Sequence, residues 1–325
     1  NTIIFQPYFG QMVHQQVARR NNMKLIDTFL FSEPYESDLL WLKFKLETPF
    51  VDEWIIQECD HTTQGDFKGL FANGILEEER FKPYLNRIKI FQHHGNPAIK
   101  DGKENTNFMR ENFQRTLCAE YLSTQHDDTL VIVSDTDEMI DCTDEDKRLW
   151  RFKEILKRHH NEYFFLGRMR YWFDYDNRCY LPNIRIPIAN VGMMKRSGGL
   201  KQCLSTLRHI QGQGPTYDVG ETPIAFEYSY VFKSLEDLWR KKTTYAHNNF
   251  DVECLEKALK YNHWPRTSKR GERVGQEPYD FFEKVTLTEE NSPKYVRENI
   301  EKLRTNIVSS VYRLNRTNDR IGPNE

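Results

Sequence analysis

The residues best placed to do chemistry are two acids spaced two apart. Asp135 and Asp137 sit in Ser134-Asp135-Thr136-Asp137-Glu138, directly after the apolar run Leu130-Val131-Ile132-Val133. On an extended segment, residues two apart point the same way, so both carboxylates can face one point just past a strand end. Such a pair suits a hard divalent cation, Mg²⁺ or Mn²⁺, which takes one or two carboxylates and fills its shell with phosphate and water oxygens. A short Asp-x-Asp can also do no more than solvate a turn. A calcium EF-hand is excluded, because Met139 stands where an oxygen ligand is needed and Ile140 where Gly is needed. An aspartyl-phosphatase motif fits poorly, since its nucleophile strand would come early in the domain.

The surrounding elements give the acids their context. From Lys24 onward short apolar runs alternate with helical patterns, which predicts an α/β domain with a mainly parallel sheet flanked by helices. Strands are expected at Leu25 to Phe31, Trp54 to Glu58, Arg87 to Phe91 and through Leu130 to Val133, the last a continuous apolar run typical of a strand covered on both faces. Phe164 to Tyr175 and Ile184 to Met194 read as two further strands able to pair in a mixed or antiparallel extension. Helices are expected from Ser37, as cap, to Leu46, with Leu39, Leu42 and Leu46 on one face, and from Asn107 to Leu122. The second carries Met109, Phe113, Leu117 and Tyr121 as its core stripe, with Glu111 and Arg115 on a separate face. Ser234-Leu235-Glu236-Asp237 resembles a capping box that opens a helix to about Ala246; others follow near Val252 to Leu259 and Tyr295 to Leu303. Asp60 to Asn73 is too rich in Thr, Gly and Asp for a regular element and is a candidate site loop. Ligands in open α/β sheets bind at the carboxyl ends of the strands, where Asp135 and Asp137 fall.

Composition narrows the function classes. The chain has 325 residues and 38% hydrophobic residues, enough for a large buried core. Forty-six basic against 48 acidic side chains give no electrostatic case for nucleic acid or an anionic membrane surface, so an anionic ligand must be held locally. No run approaches the ~20 apolar residues of a membrane span. The six scattered cysteines read as reduced, structural thiols. The chain starts at Asn1 without a signal-peptide pattern, so the expected compartment is the cytoplasm if the chain is complete; if an N-terminal anchor has been removed, the family resemblance given next implies the Golgi lumen.

Several ordered segments resemble glycosyltransferase family 17, which includes β-1,4-mannosyl-glycoprotein 4-β-N-acetylglucosaminyltransferase. They are Lys24-Leu25-Ile26-Asp27-Thr28-Phe29-Leu30-Phe31, Phe50-Val51-Asp52-Glu53-Trp54 to Glu58 with Thr62 to Gly65, Glu111-Asn112-Phe113-Gln114-Arg115, and Val133 to Glu138. Phe226-Glu227-Tyr228-Ser229-Tyr230 and Lys241 to His247 continue the set, with Phe226-Glu227 replacing a Trp-His pair and Ile140 a Pro. The resemblance implies a GT-A type nucleotide-diphospho-sugar transferase fold: an N-terminal extension over 1–22, the transferase domain over 23–263, and a C-terminal loop and helix over 264–325 packed on it. It implies an inverting, metal-dependent transfer of a sugar such as N-acetylglucosamine from a nucleotide-sugar donor, UDP-linked by expectation, to a glycan acceptor.

On that reading Asp137 is the main metal ligand, Asp135 binds the metal or the donor ribose, and His247 is a further ligand, although a helix-end histidine can equally be held by the dipole. Phe29, Glu58, Thr62 and Arg115 join Asp135 as donor-binding residues; Arg115 could equally pair with Glu111 four residues away. Arg270 and Arg273 could close over phosphate, or form a solvated charge run. Asp218, Glu221 and Glu227 are the candidates for the base that deprotonates the acceptor hydroxyl. His93-His94 and His159-His160 lack partners at zinc spacing. Two other classes remain in view: a metal-dependent phosphatase or nucleotidyltransferase using the same carboxylates, and a transferase-like module that binds glycan without turnover.

Overall fold

The computed structural model describes residues 23–96, 106–142, 147–179, 185–208, 216–217, 223–244 and 282–304. Among them, the strands in chain order are β1 (Leu25–Leu30), β2 (Glu53–Cys59), β3 (Ile88–His93), β4 (Leu130–Asp135), β5 (Glu138–Ile140), β6 (Phe164–Trp172), β7 (Asn177–Cys179), β8 (Arg185–Asn190), β9 (Thr216–Tyr217), β10 (Ala225–Ser229) and β11 (Phe282–Lys284). They form one mixed sheet in the order β11-β7-β6-β8-β4-β1-β2-β3, with β10 bridging β5 and β6 and with β9 beside β6. The half containing β4, β1, β2 and β3 is parallel. β8 enters antiparallel to β4 and β6, as the strand-like segments after Phe164 led one to expect. The result is an α/β fold with a curled mixed sheet flanked by helices.

Alternation along β4 sorts its side chains to the two faces. Leu130 and Ile132 join Leu25, Phe29, Phe44, Trp54 and Phe152 on one side. Val131 and Val133 join Ile26, Cys118, Leu122, Met194 and Leu204 on the other. Apolar area buried on both faces at roughly 25 cal/mol per Å² is what fixes β4 at the centre. The Ser37–Glu47 helix covers the first face and carries Leu39, Leu42 and Leu46 into a further cluster with Tyr171, Tyr228 and Phe232. The Lys294–Leu303 helix is held through Tyr295, edge-on to Trp41 at 5.6 Å.

Three local expectations are revised. Ser37 is the first helical residue rather than a cap, and its hydroxyl instead accepts from Arg80 at 3.0 Å. Val191–Arg196 is helical rather than the end of a strand, capped by the Asn190 side chain accepting from Met193 N at 2.6 Å. The expected helix over Asn107 to Leu122 is two pieces, Thr106–Gln114 and Ala119–Ser123. Its ladder breaks because Thr116 and Leu117 make tight turns onto Phe113 and Gln114, while the Cys118 N–H turns aside to Gln57 Oε1 at 3.1 Å. The expected core stripe holds only in part, with Phe113, Leu117 and Tyr121 half-buried. Met109 is 44% exposed, whereas Glu111, Gln114 and Arg115 are buried.

By contrast, Ser234 caps the Leu235–Thr244 helix as the sequence indicates, accepting from Asp237 N at 3.0 Å. Cys59, Cys118, Cys142, Cys179 and Cys203 are free and buried. Among the described residues no helix is long and apolar enough to cross a membrane.

Candidate active site

β4 delivers Asp135 to the carboxyl edge of the parallel strands, in register with Leu30 of β1. The chain then reverses through Thr136 and Asp137 into β5. Thr136 Oγ1 donates to Leu30 O at 2.5 Å, and Glu138 Oε2 accepts from Asp135 N at 3.1 Å, so the turn is tied on both sides. Beneath it lies the buried ammonium of Lys43. It forms an ion pair with Asp27 at 2.6 Å and donates to Ser134 Oγ at 3.0 Å and to Glu138 O at 2.6 Å.

The two acids of the motif differ in chemistry. Both oxygens of Asp135 are occupied: Arg115 Nη2 is 2.6 Å from Oδ1 and Arg208 Nη2 is 2.6 Å from Oδ2. Burial alone would raise its pKa, but the two guanidinium charges outweigh this and hold the carboxyl well below the usual range. The half-buried Asp137 carboxylate makes no hydrogen bond or ion pair within the described residues. Burial pushes its pKa up to about 6; Glu227, Asp135 and Glu36 add to the rise and Lys241 opposes it. Lys241 itself is paired with Glu36.

Asp135 is one rung of a ladder of alternating charge. Arg115 joins Glu111 at 2.8 Å to Asp135; Arg208 joins Asp135 to Glu138 at 2.7 Å; Arg168 joins Glu138 to Glu227 at 2.8 Å; Arg170 closes on Glu227 at 2.6 Å. Register explains the far end, because Glu138 of β5 lies directly opposite Glu227 of β10. Two like charges there would repel without the Arg168 guanidinium between them. The ladder's acids and arginines cancel, leaving Asp137 as the carboxylate with unspent capacity.

At the end of the parallel strands β6 and β10, Phe173 and Tyr230 both adopt left-handed backbone (φ 66° and 59°), with their rings stacked at 5.8 Å. For bulky residues this conformation is costly and concentrates at functional edges.

The other expected site residues divide. Arg115 pairs with Glu111 and also reaches Asp135 and Ser134 O, at 3.1 Å, so both readings of its role meet in one side chain. Thr62 is buried in the site loop, its hydroxyl accepting from Asp66 N at 3.2 Å, and it lines a recess with Glu33, His61, Thr63, Lys68 and Gln114. Glu58 lies under that loop rather than on it; its carboxylate accepts from Phe71 N at 2.7 Å, Ala72 N at 3.2 Å and Gln92 Nε2 at 2.9 Å. Phe29 is wholly inside the core, with Phe44 beside it and the Lys43 ammonium 4.9 Å from its ring centre, and presents no surface to a ligand. Glu227 is bound by two arginines and by Ser229, and against the effect of burial these hold its pKa below the ordinary value. Asp218, Glu221, His247, Arg270 and Arg273 lie outside the described residues. Among the described residues no three His, Cys, Asp or Glu side chains converge as a metal cage.

Arg208, Arg168, Arg170 and Glu138 had no part in the sequence-based site. For Arg168 and Arg170 a signal exists: two arginines spaced by two inside the apolar run Phe164 to Trp172 must either face water or find buried acids. Arg208 carries no such signal.

A curled mixed sheet with acids and guanidinia gathered at its carboxyl edge is consistent with an α/β transferase. Residues 10–151, less than half of the chain, match the sequence model of Glycosyltransferase family 17, and this match supports a glycosyltransferase of that family. The matched stretch carries β1 to β5, Arg115 and the Asp135 to Glu138 turn. No curated protein matches the chain.

Proposed function

We propose that the protein is a metal-dependent inverting glycosyltransferase with a GT-A type fold. It moves a sugar, N-acetylglucosamine being the favoured candidate, from a UDP-sugar to a glycan acceptor. The observation that carries the reading is the Asp137 carboxylate: unpaired, desolvated, and at the edge where α/β sheets bind ligands. An oxygen ligand of that kind fits Mn²⁺ or Mg²⁺, whereas Asp135, with both oxygens held by arginine, fits better as a contact to the donor ribose or to metal-bound water. A bound divalent cation would offset diphosphate charge and act as a Lewis acid on the departing nucleotide.

The chain's own residues prepare this site in three ways. Lys43, Thr136 and Glu138 fix the turn, so Asp137 is pre-aimed and loses little entropy on engaging a ligand. Arg115 and Arg208 place positive charge beside the position expected for the diphosphate. The recess at Thr62, at the carboxyl ends of β1 and β2, is the proposed seat of the nucleoside. Glu227 is a poor base, because two arginines stabilise its ionised form; the proposal therefore keeps Asp218 and Glu221 for deprotonation of the acceptor hydroxyl.

Titration calorimetry with UDP in the presence of Mn²⁺, followed by hydrolysis assays over a panel of nucleotide sugars, tests the reading. Asp137→Ala should abolish metal-dependent UDP binding and turnover together. Unchanged binding and turnover in that variant would overturn the assignment.

A further inference from the structure

Two recesses flank the short segment Ser32 to Asp38. The one described above, at Thr62, faces β1 and β2. The other is a cleft of about 240 Å³ lined by Tyr35, Asp38, Tyr175, Phe232, Lys233 and Asp237. The same two segments line both: Ser32 and Glu33 belong to the first and Pro34, Tyr35, Ser37 and Asp38 to the second, and the Leu235–Thr244 helix gives Thr244 to one and Asp237 to the other. On the divide between them Glu36 pairs with Lys241, whose charge acts on Asp137. The cleft is therefore next to the reactive edge and separate from the nucleoside recess.

Its lining is amphipathic in the way a pyranose is. Half-buried Tyr35, backed edge to face at 5.0 Å by the buried Phe232, provides apolar ring surface for the C–H face of a sugar. Around them stand groups that hydrogen-bond hydroxyls. Asp237 accepts from Ser234 Oγ at 2.7 Å through Oδ2 and forms no ion pair within the described residues. Lys233 reaches over Asp38 at 2.5 Å. Val231 and Phe232 follow directly on Tyr230, whose hydroxyl feels the charges of Lys241, Asp137 and Glu227. A wholly apolar ligand would shut the Asp237 and Lys233 charges away from water, and a phosphorylated one would be repelled by Asp237 and Asp38.

We propose that this cleft is the acceptor subsite and holds a neutral pyranose of the glycan acceptor against Tyr35 and Asp237. The inference rests on the transferase reading for its role, but its ligand can be tested apart from the metal site. The probe is saturation-transfer NMR on the full chain with methyl glycosides of glucose, galactose, mannose and N-acetylglucosamine. At least one should receive saturation, and should keep it when UDP and Mn²⁺ are added and in Asp137→Ala. Asp237→Asn should weaken that glycoside by about fivefold, the effect of a single net hydrogen bond. This variant keeps an oxygen for the Ser234 hydroxyl and so preserves the helix cap, which makes it decisive even if Phe232→Ala fails to fold. The proposal is overturned if no glycoside is saturated, if UDP with Mn²⁺ displaces the glycoside, or if Asp237→Asn leaves it unchanged. Glycoside binding without any UDP binding would instead overturn the metal-dependent donor reading and leave the cleft standing.

Discussion

Arg208 Nη2 lies 2.6 Å from Asp135 Oδ2 while the same guanidinium brackets Glu138, 2.7 Å to each carboxylate oxygen. One side chain from beyond the Leu200–Thr206 helix therefore holds both ends of the β4–β5 turn. Removing it leaves Asp135 with Arg115 alone and the fully buried Glu138 with Arg168 alone. Arg208→Ala should cost about 3 kcal/mol, the scale of breaking a buried ion pair from one side, read from urea denaturation. Arg208→Lys keeps the charge but loses the fork, and should recover only part of the loss. A midpoint for Arg208→Ala equal to wild type would mean that the bracket carries no net energy.

Asp135→Asn and Asp137→Asn should move stability in opposite directions. Asp135 is stabilised as an anion between two arginines, so the amide leaves those guanidinia short of charge and lowers the melting temperature. Asp137 is an anion that burial disfavours, its pKa pushed up to about 6 in the folded state, above the ordinary aspartate value. At pH 7 that cost is fully present, so Asp137→Asn should stabilise by about 1 kcal/mol after allowance for solvent screening. The same variant should lose metal-dependent UDP binding, the trade of stability for function expected at a site. Thermal unfolding of both variants at pH 7 decides the point; destabilisation by Asp137→Asn would contradict its being unpaired.

How far the sequence revealed this arrangement depended on the kind of signal. Leu130 to Val133 declared a strand buried on both sides because periodicity reports burial directly, and the acids after it fell where α/β sheets bind ligands. The Met109, Phe113, Leu117 and Tyr121 stripe is a weaker guide, because the inner face of this segment is shared between apolar Cys118 and Leu122 and the buried polar Glu111, Gln114 and Arg115. Arg115 is buried by its partners Glu111 and Asp135, and no periodicity in the chain encodes partners brought from 20 residues away. Arg208, 73 residues from Asp135, is the extreme case. The identity of Asp137 as the unspent carboxylate was similarly hidden: the two acids are chemically equal until the arginines choose one.

Acid should unfold the protein through its arginine-held carboxylates. In Asp135, Glu227 and Asp38 burial acts to raise the pKa, yet neighbouring cations win and lower it in the folded state. A depressed carboxylate contributes stability that is complete above its unfolded value, about 4, and disappears as pH falls through the folded value. Stability to urea should therefore hold from pH 7 down to about 5 and fall steeply below about 4. Glu227→Gln should flatten the slope in that acid limb; a slope identical to wild type would show that Glu227 releases no linkage energy.

Lys43 offers the sharpest test of what holds the metal motif in place from beneath. Its ammonium is fully buried, paired with Asp27 at 2.6 Å and Glu47 at 3.2 Å, and it carries the Glu138 carbonyl at 2.6 Å. Burial pushes the Glu47 pKa up despite the lysine, so the Lys43–Asp27 ion pair is the closer and firmer of the two. Lys43→Met keeps the volume but leaves Asp27 as an unmatched buried anion, a loss of about 4 kcal/mol. Adding Asp27→Asn removes that anion, and the double variant should regain at least about half of the loss, an interaction energy that two independent sites would not show. UDP binding with Mn²⁺ should stay weakened in the double variant even where stability returns, because Ser134 and Glu138 still lack the ammonium that sets the turn. If binding recovers along with stability, Lys43 serves the core alone and the turn positions Asp137 without it.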